Sequence, residues 1–426
     1  MIAERSPRRA MIAGGVGNAI EWFDFGVYAY LAPVIADIFF DPLDRATGLL
    51  ATFGIFAASF FMRPLGGIAA GHFGDRLGRK PVLVATVLLM SVATFGIGVL
   101  PTFATVGVLA PLMLLVLRML QGLAAGGEVV GAASFVVEHA PRSHRGRYGG
   151  VGGVGVLAGF VVASAVVTAL TTVLGDDAMA AWGWRVPFLL AAPLGIVAWT
   201  MRTRLIETPV FRALAERAEI VRAPLREAVR TNGRAILVFA GIEVGSVVAH
   251  GMLLTYIPTF LRSVGGLDSR AALLSNTVAV VAFTVLFPLS GAVSDRWGRG
   301  RMIRWGLALG AVLALPVFGL LASGSFLGAL AGQMLLLVPL FFLAAPLYVA
   351  LAEYFPAHIR YSSGGISYNL AQALFGGTTG FVSVWLVHTT GSPWAPAGYL
   401  AVTAAVSFGF AVAAYRPADP AGPRDT

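Results

Sequence analysis

Long apolar stretches of roughly 20 residues, the length a helix needs to cross a hydrocarbon core, alternate along this chain with short polar islands. In the first half they run 11–40, 47–72, 81–100, 106–137, 148–174 and 185–203. In the second half they run 233–262, 270–293, 301–322, 325–353, 362–388 and 394–415, the ninth and tenth stretches meeting near Gly324. The pattern predicts an all-α membrane protein of twelve transmembrane helices in two six-helix bundles. One bundle would occupy 1–203 and the other 233–426, ending in a short tail. The polar stretch 204–232, where Glu207, Glu216, Glu219 and Glu227 mix with arginines, reads as a solvated linker.

The halves also repeat in their polar islands. Gly71-His-Phe-Gly-Asp-Arg-Leu-Gly-Arg-Lys80 returns as Gly291-Ala-Val-Ser-Asp-Arg-Trp-Gly-Arg-Gly300, which sets Asp75 and Asp295 220 positions apart. Glu138, Pro141, Arg145 and Gly149-Gly150 return 215 positions later as Glu353, Pro356, Arg360 and Gly364-Gly365. Internal duplication of this kind is how many secondary transporters are built.

Composition agrees with a lipid setting: 57% of residues are hydrophobic and 12% charged, against about 25% charged in soluble domains. The absence of cysteine excludes a disulfide framework, a thiolate nucleophile and a Cys-based metal site. The polar, basic start, Met1 to Ala10, precedes an apolar run too long for a signal-peptide core, so the first span is expected to stay in place.

Of the 30 Lys and Arg residues, all but six fall in the termini and in alternate loops. Four of the six, Arg45, Arg185, Arg262 and Arg270, lie on the opposite side. By the positive-inside rule this predicts a multi-pass cell-membrane protein with both termini cytoplasmic. It also accounts for the net charge of +9 without a nucleic-acid partner.

The remaining two, Arg63 and Arg118, fall inside predicted spans. A charge at the bilayer centre costs about 2.5–3.5 kcal/mol on insertion scales, so such residues face a wet cavity or a partner. Their acidic counterparts are Glu21 and Asp24 in the first span, Glu128 in the fourth and Glu243 in the seventh. Glu21, Asp24 and Tyr28 share one helical stripe, and Gln121 and Glu128 share a face that Arg118 borders. Together they offer an arginine fork for a carboxylate and acids that carry protons. The same residues equally suit static buried pairs holding helices in register.

His250 follows Glu243 by seven residues on one face, and with Tyr256 these are candidates for tuning a substrate, or satisfied core residues. Trp22, Phe23, Phe25, Tyr28, Tyr256 and Tyr368 are candidates for an aromatic cage around a quaternary ammonium, against the plain reading of aromatics as core and interface residues. The run Gly149-Gly-Val-Gly-Gly-Val-Gly155 opens a span, so it suits close helix contact rather than a phosphate loop. The scattered histidines exclude an obvious catalytic cluster, and no metal or cofactor is expected.

The Gly71–Lys80 loop and Arg118-Met-Leu-Gln121-Gly122 resemble signatures of the major facilitator superfamily. Gly17-Asn-Ala-Ile-Glu-Trp-Phe-Asp-Phe25, Arg63-Pro-Leu-Gly-Gly67, Gln121-Gly-Leu-Ala-Ala-Gly-Gly-Glu128 and Trp182-Gly-Trp-Arg-Val-Pro187 look like its metabolite:proton symporter family. Met252–Pro258 and His358–Ser362 are most similar to proline/glycine-betaine symporters, and Phe375-Gly-Gly377 to α-ketoglutarate and citrate members.

The resemblance implies the major facilitator fold and a rocker switch, with a monomer carrying a small metabolite and protons across the bilayer. Gly71, Asp75, Arg76, Gly78, Arg79, Asp295, Arg296 and Arg299 would gate it. Arg118 would serve proton coupling, and Asp24 or Glu128 rather than Glu243 would carry the proton. Import of a carboxylate-bearing osmolyte such as proline or betaine is the leading expectation, dicarboxylate or tricarboxylate symport the alternative, and proton-coupled export a third. The superfamily's antiporters carry a Gly-Pro element in the fifth helix, whereas no proline occurs from Gly149 to Leu174. Osmosensory members carry a long C-terminal extension, whereas about ten residues follow the last stretch here.

Overall fold

The computed structural model describes residues 7–40, 45–77, 79–126, 140–203, 224–355 and 360–415. Within these residues every element is a helix. Lipid has no water to satisfy backbone amides, so a spanning segment must close its hydrogen bonds within itself. The apolar stretches accordingly fold as helices, and eight of them are long and apolar enough to cross a membrane. A ninth span forms if Asn18–Tyr30 and Ala32–Phe39, bent by 64° at Leu31, count as one. Three shorter apolar helices, Val84–Val99, Leu109–Ala125 and Arg185–Val197, fall on the third, fourth and sixth predicted stretches. Outward positions stay apolar: Val173, Leu327 and Val312 are 81%, 76% and 72% exposed. That outward apolar surface is a lipid-facing belt rather than a solvated one.

Helix ends follow local chemistry. Between Arg299–Leu321 and Phe326–Glu353, Gly324 takes a positive φ of 71°. Ser325 then caps the next helix by accepting from the Gly328 amide at 3.1 Å. This satisfies one of the amides that a helix start leaves orphaned, so the expected break near Gly324 falls where expected. Asp268 does the same for Ser269–Trp297, accepting from the Ala271 amide at 2.9 Å. At the far corner of the first half, Trp184 is fully buried edge-on against Phe39, and Arg185 donates to the Leu100 carbonyl at 3.2 Å. Within the Trp182–Pro187 motif, Trp184 and Pro187 are packed into this corner while Trp182 is exposed.

The two halves of the chain meet along two seams. In one, the helices Arg145–Ala178 and Ser269–Trp297 pack along their length. Asp176 accepts from the Ser269 hydroxyl at 3.2 Å, Thr277 bonds Ser164 at 2.6 Å, and Asp295 meets Gly146. Gly146 and Gly291 touch backbone to backbone, and a Cβ on Gly150 would stand 2.9 Å from the Pro288 Cα. The glycine run therefore does what small residues do in membranes, letting two helix axes approach. In the other seam, Phe60 and Phe53 of Arg45–Leu77 pack against Gly377 and Gly380.

Candidate functional site

The stripe on the first helix meets both buried arginines. Arg63 donates from Nη2 to Glu21 Oε1 at 2.9 Å, and its guanidinium lies 4.7–4.8 Å from the rings of Trp22, Phe25 and Phe60. Arg118 donates from Nη1 to Gln121 Oε1 at 2.8 Å and, at 3.5 Å, to Asp24 Oδ2. Its guanidinium lies 4.3 Å from the Tyr28 ring centre, with Phe25 and Phe56 close by. Gln121 donates onward to Thr94 at 2.8 Å, and the Tyr28 hydroxyl donates to the Thr52 carbonyl at 3.0 Å.

Close backbone approach makes this possible. Gly122 lies against the Ser59 carbonyl and Gly126 against that of Arg63, so the helices Arg45–Leu77 and Leu109–Ala125 touch and both arginines reach the first helix. Ion pairing and cation–π contact offset a desolvation cost of several kcal/mol per charge.

Neither arginine lines an open space. Arg63 is 1% exposed and Arg118 0%, and the rings of Trp22, Phe56 and Phe60 stand between them and the main cavity. The carboxylate fork expected on a wet wall is instead two closed pairs behind an aromatic layer. The physical reason is proximity: with Glu21 and Asp24 on one stripe, each arginine finds a carboxylate within its own half before reaching the cavity.

The cavity lies between the halves and encloses about 120 Å³. A water needs roughly 10–15 Å³ on this measure, so the space holds several waters or one small solute. Trp22, Phe56, Phe60 and Phe160 line it from the first half, and Glu243, His250, Phe287, Tyr348, Tyr368 and Gln372 from the second. Two π-helical turns reach its wall, Met252–Tyr256 through Leu254 and Thr255, and Gln372–Gly376 through its end residues. Such turns interrupt regular helices and gather at functional sites.

Glu243 is the acid on the wall. It is 5% exposed and makes no ion pair or hydrogen bond to any described residue. His250 bonds the Ser246 carbonyl through Nδ1 at 2.8 Å. A carbonyl only accepts, so Nδ1 carries the hydrogen, and Nε2 of the neutral ring is an acceptor. Gln372 donates to the Tyr368 hydroxyl at 2.9 Å, while the Tyr348 hydroxyl has no hydrogen-bond partner among the described residues. Of the proposed cage, Trp22 and Tyr368 line the cavity, whereas Phe25 and Tyr28 pack on the arginines and Tyr256 on Phe260.

A second charged cluster ties the halves at one end of the Arg145–Ala178 seam. Asp295 accepts from the amides of Gly146 and Arg147 at 2.7 and 2.9 Å, placing a carboxylate at a helix N-terminus, where the dipole favours it. Arg299 bridges Asp295 at 3.4 Å and Glu353 at 3.1 Å, and Arg145 reaches Glu353 at 3.4 Å. Arg296 is exposed and takes no part. The side chains of Asp75, Arg76 and Arg79 and the surroundings of Gly71 lie outside what is described, as do Gly78 and Glu128 altogether.

Sequence reasoning had noted Arg145 and Glu353 only as repeats, and had missed Tyr348 and Gln372. Lone polar residues in apolar spans carry no sequence signal of which way they face.

Charge sealed inside helices that have apolar outer faces, and a solvent-sized cavity between two half-chains, define a multi-pass membrane transporter. The Major Facilitator Superfamily profile matches residues 14–380. The chain belongs to that superfamily, whose members move solutes across membranes rather than catalyse reactions.

It is 36% identical over 408 residues to the glycine betaine/proline/ectoine/pipecolic acid transporter OusA of Dickeya dadantii strain 3937, covering 94% of this chain and 81% of that protein. Against the proline/betaine transporter of Salmonella typhimurium strain LT2 the figures are 35%, 94% and 81%. Among solved structures, the partially occluded inward-open xylose transporter XylE from E. coli matches with a TM-score of 0.75 at 16% identity, covering 95% of this chain and 96% of that one. A D-xylose-proton symporter matches with a TM-score of 0.73 at 20% identity, covering 95% and 97%. These two matches show the shared fold.

Proposed function

We propose that this protein imports a small zwitterionic osmolyte of the proline or betaine type by proton symport. Twelve spans in two six-helix bundles, 1–203 and 233–426, would alternate access to the cavity between them. The nine long candidates and the three shorter helices support the span number. The observation that carries the reading is that cavity, walled by residues of both half-chains. The names of the relatives favour proline and betaine.

In this reading the Asp295–Gly146 and Glu353–Arg145–Arg299 contacts are the closed gate at the end expected to be cytoplasmic, and rocking breaks them. Arg118 and Asp24 form the coupling pair. The 3.5 Å contact to Asp24, against 2.8 Å to Gln121, leaves Arg118 a neutral partner when Asp24 takes a proton. Dicarboxylate or tricarboxylate symport has less support, because both arginines lie behind the cavity wall rather than on it.

The test is uptake of labelled betaine, proline, α-ketoglutarate and citrate into proteoliposomes of purified protein, with and without an inward proton gradient. Gradient-stimulated uptake of betaine or proline is expected. Stimulation by the acids alone would replace the substrate, and accumulation driven only by an outward gradient would replace import with export.

A further inference from the structure

The cavity wall bears one feature that the sequence pattern and the coupling pair leave unexplained. Glu243 sits on the long helix Pro224–Gly251, in the second half, and pairs with neither of the buried arginines, which are held by Glu21 and Asp24. It is the cavity's acid, 95% removed from solvent by its 5% exposure, and has no cation beside it among the described residues. Its carboxylate opens onto the cavity rather than into packed protein, so burial costs it part of its hydration while the protein offers no counter-charge. Sites carrying such a cost are completed by a ligand or a proton.

The surroundings decide which. Trp22, Phe56, Phe60, Phe160, Tyr348 and Tyr368 line the same space. Aromatic faces attract cations, most strongly where the cation is poorly hydrated and the site is dry. They do nothing comparable for a proton already bound as a carboxylic acid. Three of the four rings of the first half, Trp22, Phe56 and Phe60, already lean on Arg63 or Arg118. The donors available at the cavity wall for the opposite end of a ligand are neutral ones: the Gln372 amide and the unpartnered Tyr348 hydroxyl.

We propose that Glu243 is the cation-receiving group of the cavity, and that the feature it selects is an ammonium head, quaternary or ring-bound, whether or not the ligand also carries a carboxylate. The inference rests on the transport reading above and deepens it. It assigns polarity to the bound solute, with its cationic end at Glu243 and its other end against neutral donors. Net cations such as tetramethylammonium or choline therefore enter the same site, and dianions do not. His250, two helical turns further along, stands about 10 Å away by helical rise, and its Nδ1 hydrogen is taken by the Ser246 carbonyl.

The test is equilibrium binding of labelled tetramethylammonium to the purified full-length protein in lipid nanodiscs, beside proton-driven betaine uptake in proteoliposomes. Wild type is expected to bind tetramethylammonium, with betaine competing and succinate not. Glu243→Gln is expected to weaken tetramethylammonium binding at least tenfold, with Glu243→Asp intermediate. Glu243→Gln binding within twofold of wild type overturns the assignment, and so does retained tetramethylammonium affinity with lost gradient stimulation, which would make Glu243 a proton site.

If Glu243→Gln does not remain monodisperse, wild-type competition decides. Displacement of labelled betaine by tetramethylammonium but not acetate supports the anchor, and the reverse overturns it. Proton-driven betaine uptake with Glu243-independent binding removes the anchor alone. Glu243-dependent tetramethylammonium binding without any betaine or proline uptake removes the transport reading and leaves the anchor.

Discussion

Two ion pairs of similar composition differ in length and in neighbours. Arg63–Glu21 is short, at 2.9 Å, and is covered by three rings, whereas Arg118 holds Asp24 at 3.5 Å and shares Nη1 with Gln121. Stranding one member of a buried pair costs about 3–5 kcal/mol. Glu21→Gln and Arg63→Ala are therefore expected to lower thermal stability in detergent by amounts of that order. Asp24→Asn, which mimics the protonated state, is expected to fold nearly as wild type and to lose stimulation by an inward proton gradient. Equal destabilisation by Glu21→Gln and Asp24→Asn in a melting series would mark both pairs as static. Arg63 and Arg118 were recognisable in the sequence because charge inside an apolar run is costly, yet their partners were not, since either acid of the stripe suits either arginine.

Helices in this protein are positioned by what their faces lack. Gly146 and Gly150 on Arg145–Ala178 meet Gly291 and Pro288 on Ser269–Trp297 at backbone distance, and lipid supplies no hydrophobic force to hold a looser contact. Gly150→Leu is expected to push the two helices apart and favour the state open at the Asp295 end. The chain has no native cysteine, so a cysteine pair introduced across this seam reports the change directly as a fall in crosslinking yield. Asp295→Ala removes the acceptor of two backbone amides and an arginine partner together. It is expected to lower the same crosslinking yield, while loss of the exposed Arg296 side chain leaves it unchanged. The glycine run announced close packing in the sequence. Its partner helix was not legible, because complementarity between two faces is a property of the pair.

The arrangement of the whole chain predicts a topology. Thiols introduced at His144 and Arg301, in the basic islands, are expected to react with a membrane-impermeant reagent from the cytoplasmic face alone. A thiol at Ser323, beside the Gly324 turn, is expected to react from the outer face alone. Labelling of all three from one side would contradict the even-numbered span count. The cavity is also a whole-molecule property, drawing its walls from helices that lie far apart in sequence, such as those bearing Trp22 and Tyr368. Hydropathy assigned Glu243 to a span, but only assembly of the halves put its carboxylate on an open wall with no cation beside it.

The sequence by itself determined that the chain is helical, duplicated and membrane-embedded, because the bilayer fixes span length and forbids unpaired backbone, and both constraints act residue by residue along the chain. Tertiary structure alone decided that Arg63 and Arg118 sit in closed pairs behind aromatic rings. It also decided that Asp295 caps a helix of the other half, and that Glu243 faces a cavity. Those outcomes depend on which faces meet across distances of 40 to 200 residues, and the packing that selects them is set by the shape of both surfaces at once.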